Sequence, residues 1–348
     1  MKKTCCFLTF LTFLIGALSA KTKPVEQDSL QAYEGSAFCS KGVPGMFGGK
    51  VISVDFKIIP RYNLQARSSD PTIGNSVGNL DYSRRIKVKF KLPLLNKPSI
   101  KMAMGFKYSN ETLEFQNDDQ LEYPLFQGLN ENALKSFGTE LYFFKAFNQK
   151  YYLISRTAVS FNGDYNKFIS LNRKYLTYSI LAAFGVKLND RVELGAGMIY
   201  KNSFGFHSYY PVFMYNHSFN DRWGIETLLP YRLRLRYKFS DATYVYAGIE
   251  GDAGNYYLNE GALGGSASDK ALRMKYTEAK FGVKLQQAIY HPLWFGIEAG
   301  YSKNLGMNFR DVDEPKNSPI VESETFGGGW YVNASLFLTV PKKLLNRK

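Results

Sequence analysis

Cysteine is nearly missing from the body of this 348-residue chain: of three, Cys5 and Cys6 stand at the start and only Cys39 comes later. Beyond residue 20 there is no pair to build an intramolecular disulfide. Histidine is as scarce. His207, His217 and His291 have no partner at the spacing of a triad or a metal site. His217 and Ser218 are adjacent, but neighbours in a strand point to opposite faces and cannot act as a nucleophile pair. Gly48-Gly49-Lys50-Val51 lacks the leading glycine and the Ser/Thr of a phosphate loop. The chain therefore offers no catalytic, cofactor-binding or metal residue, and no cofactor is expected. After Leu18 no run of eighteen apolar residues occurs, which removes a membrane-spanning helix.

Acidic residues are also in short supply: 44 Lys and Arg face 30 Asp and Glu, a formal charge of +14. A basic chain invites a nucleic-acid reading. No nucleic-acid motif accompanies the charge, and the N-terminus directs the chain out of the cytoplasm. Met1-Lys2-Lys3, an apolar run from Cys5 to Leu18 and small residues up to Ala20 read as a secretory signal peptide over 1–20, too short to span. Lys21 follows directly where a lipidated cysteine would have to stand, so a lipoprotein is not expected.

What the chain has in abundance is aromatic residues, 25 Tyr and 27 Phe, and two-residue alternation. In 231–239, Tyr231, Leu233, Leu235, Tyr237 and Phe239 share one parity, and Arg232, Arg234, Arg236 and Lys238 the other. Segment 85–92 repeats this, with Ile86, Val88, Phe90 and Leu92 against Arg85, Lys87, Lys89 and Lys91. In a strand this gives one oily and one cationic face. A membrane barrel needs such strands, because its outside meets lipid and its inside meets water or a polar plug.

Strand-like segments fall near 50–60, 84–93, 98–108, 137–147, 151–161, 175–188, 191–200, 210–219, 222–229, 231–239, 242–250, 272–286, 293–302 and 328–340. Tight connections at Asn96-Lys97-Pro98, Asn148-Gln149-Lys150, Asn189-Asp190, Asn220-Asp221, Ser240-Asp241 and His291-Pro292 alternate with long polar stretches at 61–83, 109–136, 162–174, 201–209, 251–271 and 303–327. Short turns on one side and long loops on the other are the mark of an up-and-down barrel. Leu229-Pro230-Tyr231 breaks the rule: a long loop is expected there and almost none exists. The expectation is an all-β, transmembrane, antiparallel up-and-down β-barrel of about fourteen strands, or twelve if 222–239 is one bent strand, with short periplasmic turns and long outer loops. Its organisation reads as signal peptide 1–20, periplasmic N-terminal extension 21–48, barrel 49–341 and basic tail 342–348, with the extension able to fold into the barrel mouth. Gly105, Gly185, Gly195, Gly197, Gly282, Gly296 and Gly300 fall on the inward parity, where they leave room for aromatics.

With strands folded this way, Lys87, Lys89, Lys91, Lys101, Lys107, Arg232, Arg234, Arg236 and Lys238 line the lumen, together with Lys280 and Lys284. The facing acids are Asp55, Glu193, Glu226, Glu250, Glu278 and Glu298. Glu111, Glu114, Asp118, Asp119, Glu122 and Glu131 read as an acidic outer loop, as does the stretch 303–327. Basic residues in a wet pore favour anions; paired with wall carboxylates or an inserted loop, they give a closed structural or surface-binding barrel. Both readings stay open. Expected partners are outer-membrane lipid and lipopolysaccharide, the barrel-assembly machinery and a small solute or ion, with no nucleic acid. A lipid-modifying outer-membrane enzyme and a soluble secreted β-protein are the rival classes.

The chain resembles Gram-negative outer-membrane β-barrel proteins, and more narrowly a barrel family carrying a domain of unknown function. The residues behind this are Leu229-Pro230-Tyr231-Arg232-Leu233-Arg234-Leu235-Arg236-Tyr237, the stretch Gly251–Tyr257, and Lys101–Tyr108 after Leu92-Pro93-Leu94-Leu95. The likeness spans roughly 50–340 and implies an outer-membrane location and a barrel, not a substrate.

Overall fold

A computed structural model describes residues 38–68, 70–116, 123–165, 172–262, 269–313, 319–324 and 328–339. The strands are β1 (Lys50–Ser68), β2 (Ser76–Asn96), β3 (Ile100–Phe115), β4 (Leu134–Ala146), β5 (Tyr151–Gly163), β6 (Leu176–Asn189), β7 (Val192–Ser203), β8 (Phe206–Ser218), β9 (Trp223–Leu228), β10 (Arg232–Ser240), β11 (Thr243–Leu258), β12 (Leu272–Tyr290), β13 (Leu293–Asp311), β14 (Val321–Glu324) and β15 (Gly328–Thr339), with one helix, α1 (Pro124–Glu131). Each strand from β1 to β13 pairs antiparallel with the next, and β15 pairs with both β13 and β1 to close the ring. β14 pairs with the same two strands nearer their far ends, so β14 and β15 are two pieces of one stave. The result is a closed barrel of 14 staves.

Alternation sets the two faces. On β2, Ile86 and Leu92 are exposed on the outside while Arg85 is buried inside. On β10, Leu233, Leu235 and Phe239 face out and Arg236 is fully enclosed. The same outward set recurs around the wall, with Phe56, Leu141, Phe184, Met198, Phe281, Val283 and Leu336 all exposed. An apolar belt of this extent is stable only when lipid covers it. The connections at 97–99, 147–150, 190–191, 219–222, 241–242 and 291–292 all lie at one end, here the short-turn end. Their asparagines hold the backbone: Asn148 Oδ1 accepts from the N–H groups of Lys150 and Tyr151, each at 2.8 Å, and Asn220 Oδ1 from Trp223 N–H at 2.7 Å.

The other end differs from the sequence expectation. Much of the expected long loops is strand: β1 runs to Ser68, β3 to Phe115, β11 to Leu258 and β13 to Asp311. Inward residues of these extensions, among them Leu64, Leu80, Leu113, Leu258 and Phe309, bury against α1 through Leu125, Phe126 and Leu129 and form an apolar plug. Polar neighbours dilute this alternation in the sequence. The 201–209 stretch is no loop either. β7 and β8 meet at Phe204-Gly205, both at positive φ (54° and 84°), as a two-residue hairpin requires. At Leu229–Tyr231 a short hairpin joins separate strands, so 222–239 is not one bent strand.

Inward glycines receive side chains from nearby staves. A Cβ at Gly185 would collide with the ring of Tyr152, and one at Gly282 with the hydroxyl of Tyr331. The signal peptide, residues 21–37 of the extension and the basic tail lie outside the described residues.

Candidate functional site in the lumen

The β10 ladder that stands out in the sequence is largely tied up in structure. Arg234 donates to Glu226 through Nε at 3.0 Å and Nη2 at 2.5 Å, and its guanidinium lies 4.2 Å from the centre of the Tyr246 ring. Arg236 donates to Pro44 O at 3.2 Å from both Nη atoms and to Ser218 Oγ at 2.9 Å, with Glu226 at 3.6 Å. Lys238 pairs with Asp241 at the adjoining turn, at 2.5 Å. Arg232 is half-buried opposite Glu250 on β11.

Pro44 belongs to the N-terminal extension, and its described part, 38–49, is a strap across the short-turn mouth. Cys39 N–H donates to Asn148 O at 2.8 Å, and Gly42 N–H to Glu193 Oε1 at 2.9 Å. Glu193 is fully buried and also accepts from Tyr152 and, at 2.8 Å, from Asn216. Phe47 ends the strap edge-on to Tyr244, Trp294 and Phe337, with ring centres 4.9–5.6 Å apart. Gly45 is needed where Arg236 crosses: its φ is +76° and a Cβ would stand 2.7 Å from the guanidinium.

Between strap and apolar plug lies a belt of ion pairs. Lys57 meets Glu278 at 2.8 Å, with both side chains buried, and Ser302 also donates to Glu278. Arg85 bridges Glu111 at 2.8 Å and Asp252 at 2.6 Å, while Tyr276 donates to Glu111 at 3.3 Å. Lys284 and Tyr331 hold Glu298 at 2.8 and 2.7 Å, and Arg156 and Tyr142 hold Glu140. Glu111, read as part of an acidic outer loop, is therefore a lumen residue, because β3 continues past Ser109. Lys57, Glu111, Glu140, Arg156 and Asp252 are additions to the sequence-derived set. The alternation Ser53, Asp55, Lys57 on β1 is the signal that would have found Lys57.

The β2–β3 lysines differ. Lys89 and Lys107 are direct cross-strand partners, a like-charge pairing that is unfavourable by itself. Lys87 lies between Asp55 on β1 and Ser109 on β3. Lys91 sits 4.4 Å from the centre of the Tyr142 ring, and Lys101, exposed at the mouth, 6.0 Å from that of Phe144. Among the described residues none of these five lysines has a carboxylate within salt-bridge distance. Lys87 and Lys107 line a cavity of about 150 Å³ with Arg85, Arg156 and Lys201 and the acids Glu140 and Asp252. A cluster of cations can stay charged in a wall only with water or a bound anion for company.

No curated protein matches the sequence. Solved structures match over most of the chain at low identity. A Pseudomonas aeruginosa FadL homologue shares 10% identity at a TM-score of 0.38, covering 83% of this chain and 90% of the other. The P. putida toluene transporter TodX shares 8% at 0.33, and the translocator domain of the autotransporter NalP from Neisseria meningitidis also 8% at 0.33; each covers 85% of this chain and 91% of its own. Residues 52–338, nearly the whole barrel, match the family described as Domain of unknown function (DUF6268), and the chain belongs to that family.

Proposed function

We propose that this protein is an outer-membrane barrel whose lumen holds and passes small anions, with its own N-terminal strap restricting the mouth. The short turns face the periplasm and the long connections the outside, which places strap 38–49 on the periplasmic side. Outer-membrane lipid and lipopolysaccharide are the expected surroundings, and the barrel-assembly machinery the route of insertion.

The carrying observation is the lysine group on β2 and β3. Lys57, Arg85, Arg234 and Lys284 are neutralised in pairs, whereas Lys89, Lys91 and Lys107 face the interior with no carboxylate within salt-bridge distance. A basic lining favours anions by charge. In planar bilayers the purified protein should give small, discrete, anion-biased steps. Replacing Lys89 and Lys107 together by Glu should turn the preference toward cations. Silence of both the wild type and Arg236→Ala, whose strap is loosened, would remove the reading.

A closed structural or surface-binding barrel is the second reading, favoured by the apolar plug around Phe126. It requires silence from every variant that leaves the barrel intact.

A further inference from the structure

One side of the wall is lower than its neighbours. β9 has six residues and β10 nine, against 13 in β8 and 16 in β11. The hairpin Leu229–Tyr231 therefore ends at the level of the exposed, apolar Phe213 and Leu229. Its neighbours run on past it. β8 is bridged to Leu229 at Phe213 and continues up to Phe206, while Gly251 of β11 donates its N–H to Tyr231 O at 2.7 Å and β11 continues to Leu258. Among the described residues, neither β8 over 206–212 nor β11 over 252–256 has a ladder partner on the edge facing the other.

Pro211 marks that free edge. Phe213 N–H points to Leu229 O, so two residues away the nitrogen of Pro211 lies on the same edge, where a missing donor costs no ladder bond. Higher up the gap closes: Phe204 meets Tyr257 with ring centres 5.9 Å apart, and Tyr257 pairs with Gly163 of β5. The outcome is a window framed by β8, β11 and two hairpin tips.

The two sides of the window differ in chemistry. Outside, Tyr209 and Phe213 are 65% and 56% exposed, opposite the small residues Gly251 and Ala253. Inside, the β11 border from Asp252 to Tyr256 is also a wall of the basic cavity that holds Lys107 and Lys201. We infer that the window is a lateral port by which an anionic amphiphile passes between bilayer and lumen, its head held by Lys107 and Lys201 and its tail left against Tyr209 and Phe213. This rests on the reading of the lumen as an anion site and adds the ligand class and the route.

The test uses the full chain in phosphatidylcholine vesicles with radiolabelled dodecanoate, alongside chloride conductance in planar bilayers. Wild-type protein should retain dodecanoate above protein-free vesicles. Lys107→Ala and Lys201→Ala should each weaken retention roughly tenfold, the loss of one charge-assisted contact. Ala253→Trp, which sets a large ring on the rim, should slow dodecanoate uptake several-fold. Heat-modifiable gel migration verifies that each variant is folded. Uptake unaltered in Ala253→Trp overturns the port, and equal retention of dodecyltrimethylammonium overturns the anionic class. Dodecanoate uptake that Ala253→Trp slows, together with a silent chloride channel, supports the port and overturns only the small-anion path.

Discussion

Arg236 and Lys107 carry the same charge into the same lumen and are treated in opposite ways. Arg236 is fully enclosed, held by a carbonyl and a hydroxyl, with a carboxylate 3.6 Å from its Nε. Lys107 has another lysine across from it and no acid within salt-bridge distance. Removing one side of a buried ionic contact costs about 3–5 kcal/mol. Arg236→Ala should therefore lower unfolding stability in urea by about that amount and expose 38–48 to protease added from the short-turn side. Lys107→Ala should leave stability unchanged or raise it, because it relieves a like-charge pairing. Gly185→Ala drives a methyl into the Tyr152 ring and should cost about 1–3 kcal/mol in the same measurement. The inward parity of every one of these residues was legible from alternation. Which cations are neutralised was not, since Arg236 finds its acceptor 192 residues away in the strap.

At the scale of elements, the strands were far more readable than the helix. Fourteen staves appear where two-residue periodicity and Asn-based turns put them. α1 escaped notice because its eight residues carry only Leu125, Phe126 and Leu129 as apolar signal, with Gly128 in its middle and polar residues on both sides. Pro124 at its first turn and the spacing 125, 126, 129 were the available clues. Phe126 is fully buried and stacks on Phe115 at 4.9 Å between ring centres. Phe126→Asp puts an unpaired charge into that cluster. It should open the long-loop end, seen as a larger single-channel step together with a lower melting temperature. The Leu229–Tyr231 hairpin, a misfit in the alternation of short and long connections, is the floor of the window in the wall. Two clues to it, a missing loop and a proline within the strand at 211, stand openly in the sequence.

Over the whole molecule the lumen is layered. The strap and its aromatic ring lie at the short-turn mouth, ion pairs and free lysines in the middle, and the apolar plug at the far end. Long-range layering of this kind depends on register across non-neighbouring staves, which periodicity along one segment does not report. Exposed charges are screened over about 10 Å at 0.1 M salt and about 3 Å at 1 M. The anion bias of the conductance should therefore weaken as salt is raised, while stability, set by buried pairs, changes little. Orientation has its own check: protease added to intact cells should cut only in the long connections at 116–133 and 312–320. Cuts confined to the turns at 147–150 or 219–222 would invert the topology.

The seam between β1 and β15 has a consequence for synthesis. Lys50 pairs with Thr339, so the first stave waits for nearly the last residue before its outer edge is covered. Until then the N–H and C=O groups of Ile52–Ile58 that face away from β2 have no partner, and in hydrocarbon each one left bare costs several kcal/mol. A chain that stops before Gly328 cannot hide this edge by relaxing locally, because the neighbours it needs do not exist. Nonsense mutations anywhere before that codon should yield no inserted protein at all, not a shorter barrel with partial activity.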